Sequence, residues 1–287
     1  MKLADFSKLI KFRLTFLVVF SASISFLIGS KVNGVIVWSN WLMLIAGGFL
    51  VTAAANCFNE IIEKDLDRLM KRTMDRPIPA GRMNTGQALV IGLFMAMAGT
   101  YILGSLNLTT GYLSVFSIIL YAFVYTPLKR KSPIAVFVGA IPGALPPLIG
   151  YVAAHPKIDE IALILFAIQF IWQFPHFWAI AWVLDDDYKL AGFRLLPTGK
   201  RDLTSAVITF IFTLILIPVS LLPTFYHYGG YYVGAVSLIC SLLFLYLAFV
   251  LLRTRQIESA RKLMYGSFFY LPIVQLMFLF DFIGKVK

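Results

Sequence analysis

The chain has 287 residues, of which 60% are hydrophobic and 14% are charged. This composition excludes a soluble globular domain, because the surface of such a domain must be hydrated. In a membrane protein, the formal net charge of +11 reflects basic residues on one side of the membrane. Nucleic acid is therefore not an expected partner.

Nine apolar stretches are each long enough to cross a hydrocarbon core about 30 Å thick, which takes roughly 20 helical residues. They lie near residues 13–29, 41–62, 86–105, 108–127, 133–153, 160–183, 204–224, 231–252 and 266–284. The connections between them are too short for a separate soluble domain. The sequence therefore predicts an all-α polytopic membrane protein, a bundle of nine transmembrane helices that forms one membrane-embedded domain over residues 1–287.

The basic residues gather on one side of this predicted bundle. Of the 25 Lys and Arg residues, 21 fall in segments on the side of the N-terminus. These segments are Lys2 to Arg13, the 63–85 loop, Lys129 to Lys131, the 184–202 loop and the 253–265 loop. The other side holds Lys31, Lys157, Lys285 and Lys287. Because Lys and Arg accumulate in cytoplasmic loops, the N-terminus is expected to be cytoplasmic.

Charged residues are nearly absent from the interiors of the predicted spans. The polar exceptions are Gln87, Gln169, Gln173, His176 and Gln275. Ion pumps and coupled transporters carry ionisable residues at membrane depth, so the pattern favours chemistry or binding at one end of the bundle. Cys57 and Cys240 lie in separate spans, and neither a disulfide nor a metal site is expected from them.

The second span ends in an acidic segment, NEIIEKDLDRLMKRTMDRP, which begins at Asn59. Asn59, Glu63 and Asp67 are spaced by four residues, which places them within about 80° on one face of a helix. Their carboxylate and amide oxygens suit a hard cation such as Mg²⁺. Arg72 and Arg76 follow, and their planar guanidinium groups match phosphate oxygens. The segment therefore predicts a metal-dependent diphosphate site.

A plainer interpretation is that this segment only anchors a loop at the membrane interface with mixed charge. Glu60 and Asp65 fall off the shared face and are expected to be such solvated charges. The regular trio followed by two arginines is harder to assign to chance, which favours the diphosphate site.

The segment resembles the first signature motif of the intramembrane aromatic prenyltransferase (UbiA-type) superfamily. The matching residues are Asn59, Glu63, Asp67, Met70, Arg72, Thr73, Arg76 and Pro77. Many relatives have Asp where this chain has Glu63, a side chain one methylene longer that still reaches a cation. Further matches, which favour the haem-modifying branch, are YTPLKRKSPIAVFVGAIPGALPPLIGY from Tyr125, WQFPHFWAIAW from Trp172 and DDDYKLAGFRLLP from Asp185.

This resemblance implies roles for individual residues. The implied catalytic residues are Asn59, Glu63, Asp67, Arg72, Arg76, Asp186 and Asp187. The implied metal ligands are Asn59, Glu63, Asp67, Asp186 and Asp187. The implied substrate-binding residues are Tyr125, Lys129, Arg130, Gln173, His176 and Tyr188.

Some of these residues also have plainer interpretations. Lys129 and Arg130 agree equally with the accumulation of positive charge in cytoplasmic loops. A lone histidine in an apolar span is more often a hydrogen-bonded packing residue, although imidazole is a common haem ligand, which makes His176 the leading candidate for a haem contact. Asp185 is expected to cap a helix or to face solvent.

The resemblance implies a Mg²⁺-dependent prenyltransferase that joins the farnesyl group of farnesyl diphosphate to a vinyl group of haem B, giving haem O for haem-copper oxidases. It implies the bacterial cytoplasmic (inner) membrane as the location, and haem-copper oxidase assembly or haem A synthase as partners. One alternative is a sister prenyltransferase acting on a quinone precursor, a chlorophyll precursor or a lipid glycerol. Another is a non-catalytic assembly or transport protein for the oxidase, which predicts no metal dependence.

Overall fold

The computed structural model describes residues 3–284, so Lys2, Lys285 and Lys287 of the charge pattern lie outside the described residues. A π-helical segment, Ile119–Tyr125, joins α5 to α6 within the fourth span. The α-helices of the described range are α1 (Leu3–Leu9), α2 (Phe12–Asn33), α3 (Trp38–Asp67), α4 (Thr85–Leu106), α5 (Leu108–Ile118), α6 (Thr126–Leu128), α7 (Ala135–Ala154), α8 (Glu160–Leu190), α9 (Leu203–Ser220), α10 (Leu222–Phe225), α11 (Tyr231–Thr254) and α12 (Ile257–Phe280).

Nine helical segments between residues 3 and 284 are long and apolar enough to span a membrane, which confirms the predicted all-α architecture. Their ends differ most from the prediction in three places. Helix α3 continues to Asp67 and α8 to Leu190, so both acidic segments are helical. Helix α12 begins at Ile257, so the expected 253–265 loop is mostly helix. Hydropathy detects only the part of a helix in hydrocarbon, whereas backbone hydrogen bonds continue beyond it.

The long helices pack side by side around a common interior. Helix α2 packs on α7, α3 on α4, and α7 on α8, while α8 also contacts α9 and α12. Small residues allow the closest approaches, as expected where helices associate through van der Waals contact. A Cβ atom at Gly150 of α7 would lie only 1.9 Å from the carbonyl oxygen of Ala22 in α2. The α2 and α7 backbones can therefore touch only because residue 150 is a glycine.

The fourth span changes from α-helix to π-helix before it ends. At Thr126 the backbone N–H donates to the carbonyl of Tyr121, five residues earlier, and Pro127 follows with no N–H of its own. Such wide turns are frequent at functional sites. This turn places Tyr121 and Tyr125 together, with ring centroids 5.5 Å apart.

One end of the bundle collects α1, the C-terminal ends of α3 and α8, and the connections 68–84, 129–134 and 191–202. We call it the charged end. The short helix α1 was not predicted. It is tied to the 68–84 connection by ion pairs from Asp5 to Arg82 at 2.8 Å and from Lys8 to Asp75 at 2.5 Å.

Candidate functional site

A cavity of about 220 Å³ lies at the charged end, between α2, α3, the fourth span, α7 and α8. We call it the polar cavity. Its wall brings together residues that are far apart in sequence and that belong to several helices and connections. The charged and polar residues in this wall are Lys11, Asn59, Glu63, Asp67, Arg72, Arg76, Tyr121, Tyr125, Lys129 and Tyr188.

The trio on α3 supplies the acidic side of the polar cavity. Asn59, Glu63 and Asp67 are at most 3% exposed and line the same cavity, in agreement with their helical spacing. Asn59 holds the trio in place, because its Nδ2 donates to Glu63 Oε2 at 2.9 Å and to Thr126 Oγ1 at 3.0 Å. The oxygen Oδ1 of Asn59 takes no part in those two bonds and is left for a partner in the polar cavity.

Three basic side chains contact the trio. Lys129 Nζ lies 2.5 Å from Glu63 Oε1, and Arg76 NH1 lies 2.6 Å from Asp67 Oδ2. The third contact is from Lys11, whose Nζ donates to the Asn59 amide oxygen at 2.5 Å. Two of these contacts pair opposite charges in a buried site, and the third joins the ammonium group of Lys11 to a neutral amide.

The two lysines in this group have shifted acidities. Burial lowers the pKa of Lys129, and the neighbouring carboxylate of Glu63 opposes that shift. Burial, followed by the positive charges of Arg76 and Lys129, lowers the pKa of Lys11 to about 7. A bound polyanion would act in the opposite direction on both lysines, since opposite charge favours the protonated form.

The connection after α3 turns back over the polar cavity because side chains fix its backbone. Thr73 Oγ1 donates to the carbonyl of Asp67 at 2.9 Å, which satisfies a helix-terminal acceptor. Glu60 was expected to be solvated, but it is buried and accepts from the Ile78 backbone N–H at 3.2 Å. These bonds place Arg76 beside Asp67, so the R-T-x-x-R-P pattern is a folded loop that returns its arginines to α3.

Asp187 fixes the same connection from the other side. Its carboxylate accepts from the backbone N–H groups of Lys71 at 2.8 Å and of Arg72 at 3.4 Å. The guanidinium carbon of Arg72 lies 6.0 Å from the centroid of the Tyr188 ring. Asp187 thereby positions the backbone from which Arg72 enters the polar cavity, and the side chain of Asp187 is not part of the cavity wall.

Asp186 and Asp185 occupy environments opposite to those expected. Asp186 is 75% exposed and pairs with Arg201 at 3.0 Å, so the structure does not bring it to the polar cavity. Asp185, expected to cap a helix or face solvent, is buried and pairs with Lys189 at 2.7 Å and Arg201 at 3.7 Å. Adjacent residues on a helix point about 100° apart, which separates these two carboxylates.

The aromatic residues Tyr125 and Tyr188 lie in the cavity wall as expected, whereas Arg130 and Gln173 do not. Arg130 is exposed. Gln173 is buried between α8 and α7, where its Nε2 donates to the carbonyl of Ala140 at 2.9 Å. A Cβ at Gly139 would lie 2.6 Å from a ring carbon of Tyr125, so the missing side chain makes room for this tyrosine.

His176 faces α12 and lies outside the wall of the polar cavity. Its Nδ1 lies 2.7 Å from Ser267 Oγ, and Ser267 Oγ donates to the carbonyl of Met264 at 2.5 Å. The hydroxyl proton of Ser267 is donated to that carbonyl, so the Ser267 oxygen can only accept from His176. Nδ1 of His176 is therefore the protonated nitrogen. Nε2 is then the unprotonated nitrogen, the form in which imidazole binds a metal. On α8, His176 is about 40° around the helix from Ile180, which lines the polar cavity.

The trio fits a magnesium ion. No cluster of three or more His, Cys, Asp or Glu side chains with metal-site geometry occurs within residues 3–284. Mg²⁺, however, commonly takes one or two carboxylates and completes its shell with water and substrate phosphates. Asp67 Oδ1 is buried and has no hydrogen-bond partner among the described residues, so an oxygen donor is available.

A second, apolar cavity of about 110 Å³ lies next to the polar cavity, deeper in the bundle. Leu14 and Tyr121 line both cavities. From there the apolar cavity follows α3 through Thr52 and Gly48 to Leu44, away from the charged end. A molecule with a charged head and a long hydrocarbon tail therefore matches the two cavities together.

These features define a site within the helical bundle in which a charged wall lies next to an apolar cavity. The family model described as the UbiA prenyltransferase family matches residues 18–273, and the chain belongs to this family. A protoheme IX farnesyltransferase of Cytophaga hutchinsonii is 45% identical over 276 residues, covering 96% of each chain.

Solved structures show the same fold. A solved structure of digeranylgeranylglyceryl phosphate synthase superposes on this chain with a TM-score of 0.80 at 22% identity, covering 97% of this chain and 98% of the other. A UbiA homologue from Archaeoglobus fulgidus bound to DMAPP and Mg²⁺ gives a TM-score of 0.65 at 12% identity, covering 96% and 99%. At such identities the likeness concerns the fold alone.

Sequence reasoning did not identify Lys11 or Tyr121 as residues of the site. Tyr121 precedes the Y-T-P-L-K-R stretch by one turn, and a spacing of four residues from Tyr125 would have indicated it. Lys11 has no such local signal, because its position depends on the turn between α1 and α2.

Proposed function

We propose that this protein transfers the farnesyl group of farnesyl diphosphate to a vinyl group of haem B, releasing diphosphate and forming haem O. The observation that carries the proposal is the polar cavity, where an acidic trio and four basic side chains meet above an apolar cavity. Its haem specificity is supported by relatives such as the protoheme IX farnesyltransferase of Christiangramia forsetii, 41% identical over 97% of this chain and 93% of its own.

Asn59, Glu63 and Asp67 would hold Mg²⁺. A bound Mg²⁺ would supply positive charge to the leaving diphosphate. Asp186 is left out of this ligand set because its carboxylate pairs with Arg201 at the exposed surface. Asp187 is assigned a positioning role, since its carboxylate holds the backbone N–H groups of Lys71 and Arg72.

Arg72, Arg76 and Lys129 would bind the diphosphate oxygens. As the allylic C–O bond breaks, negative charge grows on the diphosphate, and fixed cations in a site of low dielectric stabilise it. Lys129 Nζ lies 5.2 Å from the Tyr125 ring centroid and 5.1 Å from that of Phe193, so aromatic faces support the ammonium group. The farnesyl C1 then joins a vinyl carbon of the porphyrin, and water adds to the resulting cation as a hydroxyl group with loss of a proton.

The cavity wall protects the farnesyl cation until the vinyl group captures it. Tyr121, Tyr125 and Tyr188 present aromatic faces, which attract cations. The rest of the wall includes Phe177 and Ile180 of α8, which exclude water near the reacting carbon.

His176 would contact the haem. The bond to Ser267 leaves its Nε2 free of a proton and suited to iron. We expect His176→Ala to lower the affinity for haem B at least about tenfold, because the variant loses a nitrogen that would bind the iron, with less effect on farnesyl diphosphate. Titration followed by haem absorbance measures the affinity of the purified protein for haem B, and calorimetry measures its affinity for farnesyl diphosphate. Equal losses of both affinities would mean that His176 is a packing residue.

The test of the whole proposal is incubation of purified protein with haem B, farnesyl diphosphate and Mg²⁺, followed by chromatography for a more hydrophobic haem. Omission of Mg²⁺ with added chelator should abolish the product. A protein that prenylates a quinone precursor but leaves haem B unchanged would belong to the sister class. A protein that binds haem without turnover of any acceptor would be the assembly or transport protein.

The cytoplasmic side is proposed for the charged end, because most basic residues lie there. Delivery of the product to haem A synthase or to haem-copper oxidase assembly remains a prediction. It would be checked by co-purification from bacterial inner membranes.

A further inference from the structure

Lys11 lies at the junction of α1 and α2, and its side chain enters the polar cavity. Its neighbours Lys8 and Arg13 are exposed, as expected for residues that only fix the orientation of a membrane protein. Lys11 differs from them because it is partly buried and its Nζ lies 2.5 Å from Asn59 Oδ1. Orientation alone does not account for a lysine turned inward.

The backbone at Lys11 is held in a conformation that costs energy. Its φ is +48°, in the left-handed region that side chains other than glycine rarely adopt. The preceding carbonyl, of Ile10, accepts hydrogen bonds from Thr15 Oγ1 at 2.7 Å and Asn56 Nδ2 at 3.3 Å. Two buried side chains thus fix the turn that directs Lys11 inward, and such strain tends to persist where function requires it.

The charge of Lys11 lacks the direct counter-ion that its cationic neighbours have. Arg76 and Lys129 each pair with a carboxylate of the trio. Lys11 instead donates to a neutral amide, and within residues 3–284 no carboxylate lies at ion-pair distance from it. A lysine ammonium in a cavity of this kind is available to an incoming anion.

We propose that Lys11 is a diphosphate-binding residue of the prenyl donor site. Its ammonium group contacts phosphate oxygens of the donor and adds to the charge from Arg72, Arg76 and Lys129. The same ammonium group donates to Asn59 Oδ1 and thereby opposes the binding of a divalent cation to that oxygen. This inference rests on the proposed function, because it assumes that the polar cavity holds a diphosphate.

The test uses Lys11→Met, which keeps the length of the side chain and removes its charge, in purified full-length protein. Lys8→Met on α1 is the matched control, since Lys8 is exposed and pairs with Asp75 outside the cavity. Calorimetry measures inorganic pyrophosphate binding at saturating Mg²⁺, and Mg²⁺ binding without pyrophosphate. Lys11→Met should weaken pyrophosphate binding about tenfold, as expected for one charged hydrogen bond, and should strengthen Mg²⁺ binding.

These opposite changes separate the proposal from a loss of structure, which would weaken both. Lys11→Met binding that matches Lys8→Met in both titrations would overturn it. Arg76→Met serves as the reference for the proposed function: if it loses pyrophosphate binding while Lys11→Met does not, only the inference fails. If neither variant loses binding, the diphosphate site itself is wrong.

A measurement on the unmodified protein covers the case in which Lys11→Met does not fold. Reductive methylation followed by mass spectrometry reports the accessibility of each lysine. Mg²⁺ with pyrophosphate should protect Lys11 several-fold and leave Lys8 unchanged. Equal labelling of Lys11 with and without pyrophosphate would contradict the proposal.

Discussion

The C-terminal ends of α3 and α8 are similar in sequence, but their acidic side chains have different surroundings in the structure. Each is the acidic end of a helix of 30 or 31 residues, and each is followed by basic residues. At the end of α3 the polar groups recur every four residues and line one cavity. At the end of α8 three aspartates are consecutive: Asp185 and Asp186 both pair with Arg201, whereas Asp187 accepts from backbone N–H groups of the 68–84 connection. Spacing, more than acidity, decides whether carboxylates form a site.

The comparison also shows two uses for a carboxylate near a cation. Asp67 keeps one oxygen without a hydrogen bond in the described part of the chain, which leaves it free for a ligand. Asp187 uses both oxygens on backbone N–H groups, which fixes a loop. The first arrangement favours chemistry and the second favours positioning. Substitutions at the two helix ends should therefore affect different measurements.

The largest effect is expected at α3. Asp67→Asn keeps the shape of the side chain and removes its charge, so turnover should fall about 10²–10³-fold, the size typical of losing one group that stabilises transition-state charge. Turnover is measured as haem O formed at saturating Mg²⁺ and both substrates. Membrane insertion should be unchanged, and the loss of thermal stability should not exceed about 1–3 kcal/mol, the cost expected when one charge of a buried ion pair is removed. A rate within a few-fold of normal would remove Asp67 from the site.

Asp187→Ala should have the next largest effect on turnover. Loss of its two bonds frees the backbone that carries Arg72, and misplacement of a positioned group costs about 10- to 100-fold. A positioning role also predicts faster tryptic cleavage after Lys71, which a metal ligand alone would not cause. Unchanged cleavage together with lost Mg²⁺ binding would instead make Asp187 a metal ligand.

The nine spans within residues 3–284 and the shared face of the trio could be predicted because both follow from local sequence features. Hydrophobic length marks a span, and a spacing of four marks one face of a helix. Contacts between distant segments could not be predicted in this way. Glu60 illustrates the limit, because its burial depends on the 68–84 connection, which folds back and places the Ile78 backbone N–H beside its carboxylate.

Lys11 and His176 illustrate the same limit at the site. The positive-inside pattern already explains a basic residue near the N-terminus. The sequence therefore gives no separate signal for the contact between Lys11 and Asn59, which lies 48 positions away. His176 was recognisable as an unusual residue in an apolar span. Its direction toward α12 depends on helix packing, which brings Ser267 to it from 91 residues away.

Asp185→Asn should act on stability with little effect on turnover. Asp185 is buried and pairs with Lys189 and Arg201, and removing a charged partner from a buried group costs about 1–3 kcal/mol. Thermal unfolding in detergent measures the loss. A stable variant with reduced turnover would mean that Asp185 takes part in the site and that the two helix ends are more alike than their geometry indicates.

Asp186→Asn should have the smallest effect of the four substitutions. The Asp186 carboxylate is 75% exposed, and exposed ion pairs such as the one with Arg201 contribute about 0–1 kcal/mol. Turnover should stay within about twofold of normal, and thermal unfolding should change little. Asp186 and Asp187 are adjacent aspartates of one motif, so they provide a matched comparison. The carboxylate of Asp186 is exposed, whereas that of Asp187 accepts from backbone N–H groups. A loss of turnover at Asp186 comparable to that at Asp187 would show that the end of α8 turns toward the polar cavity when substrates bind.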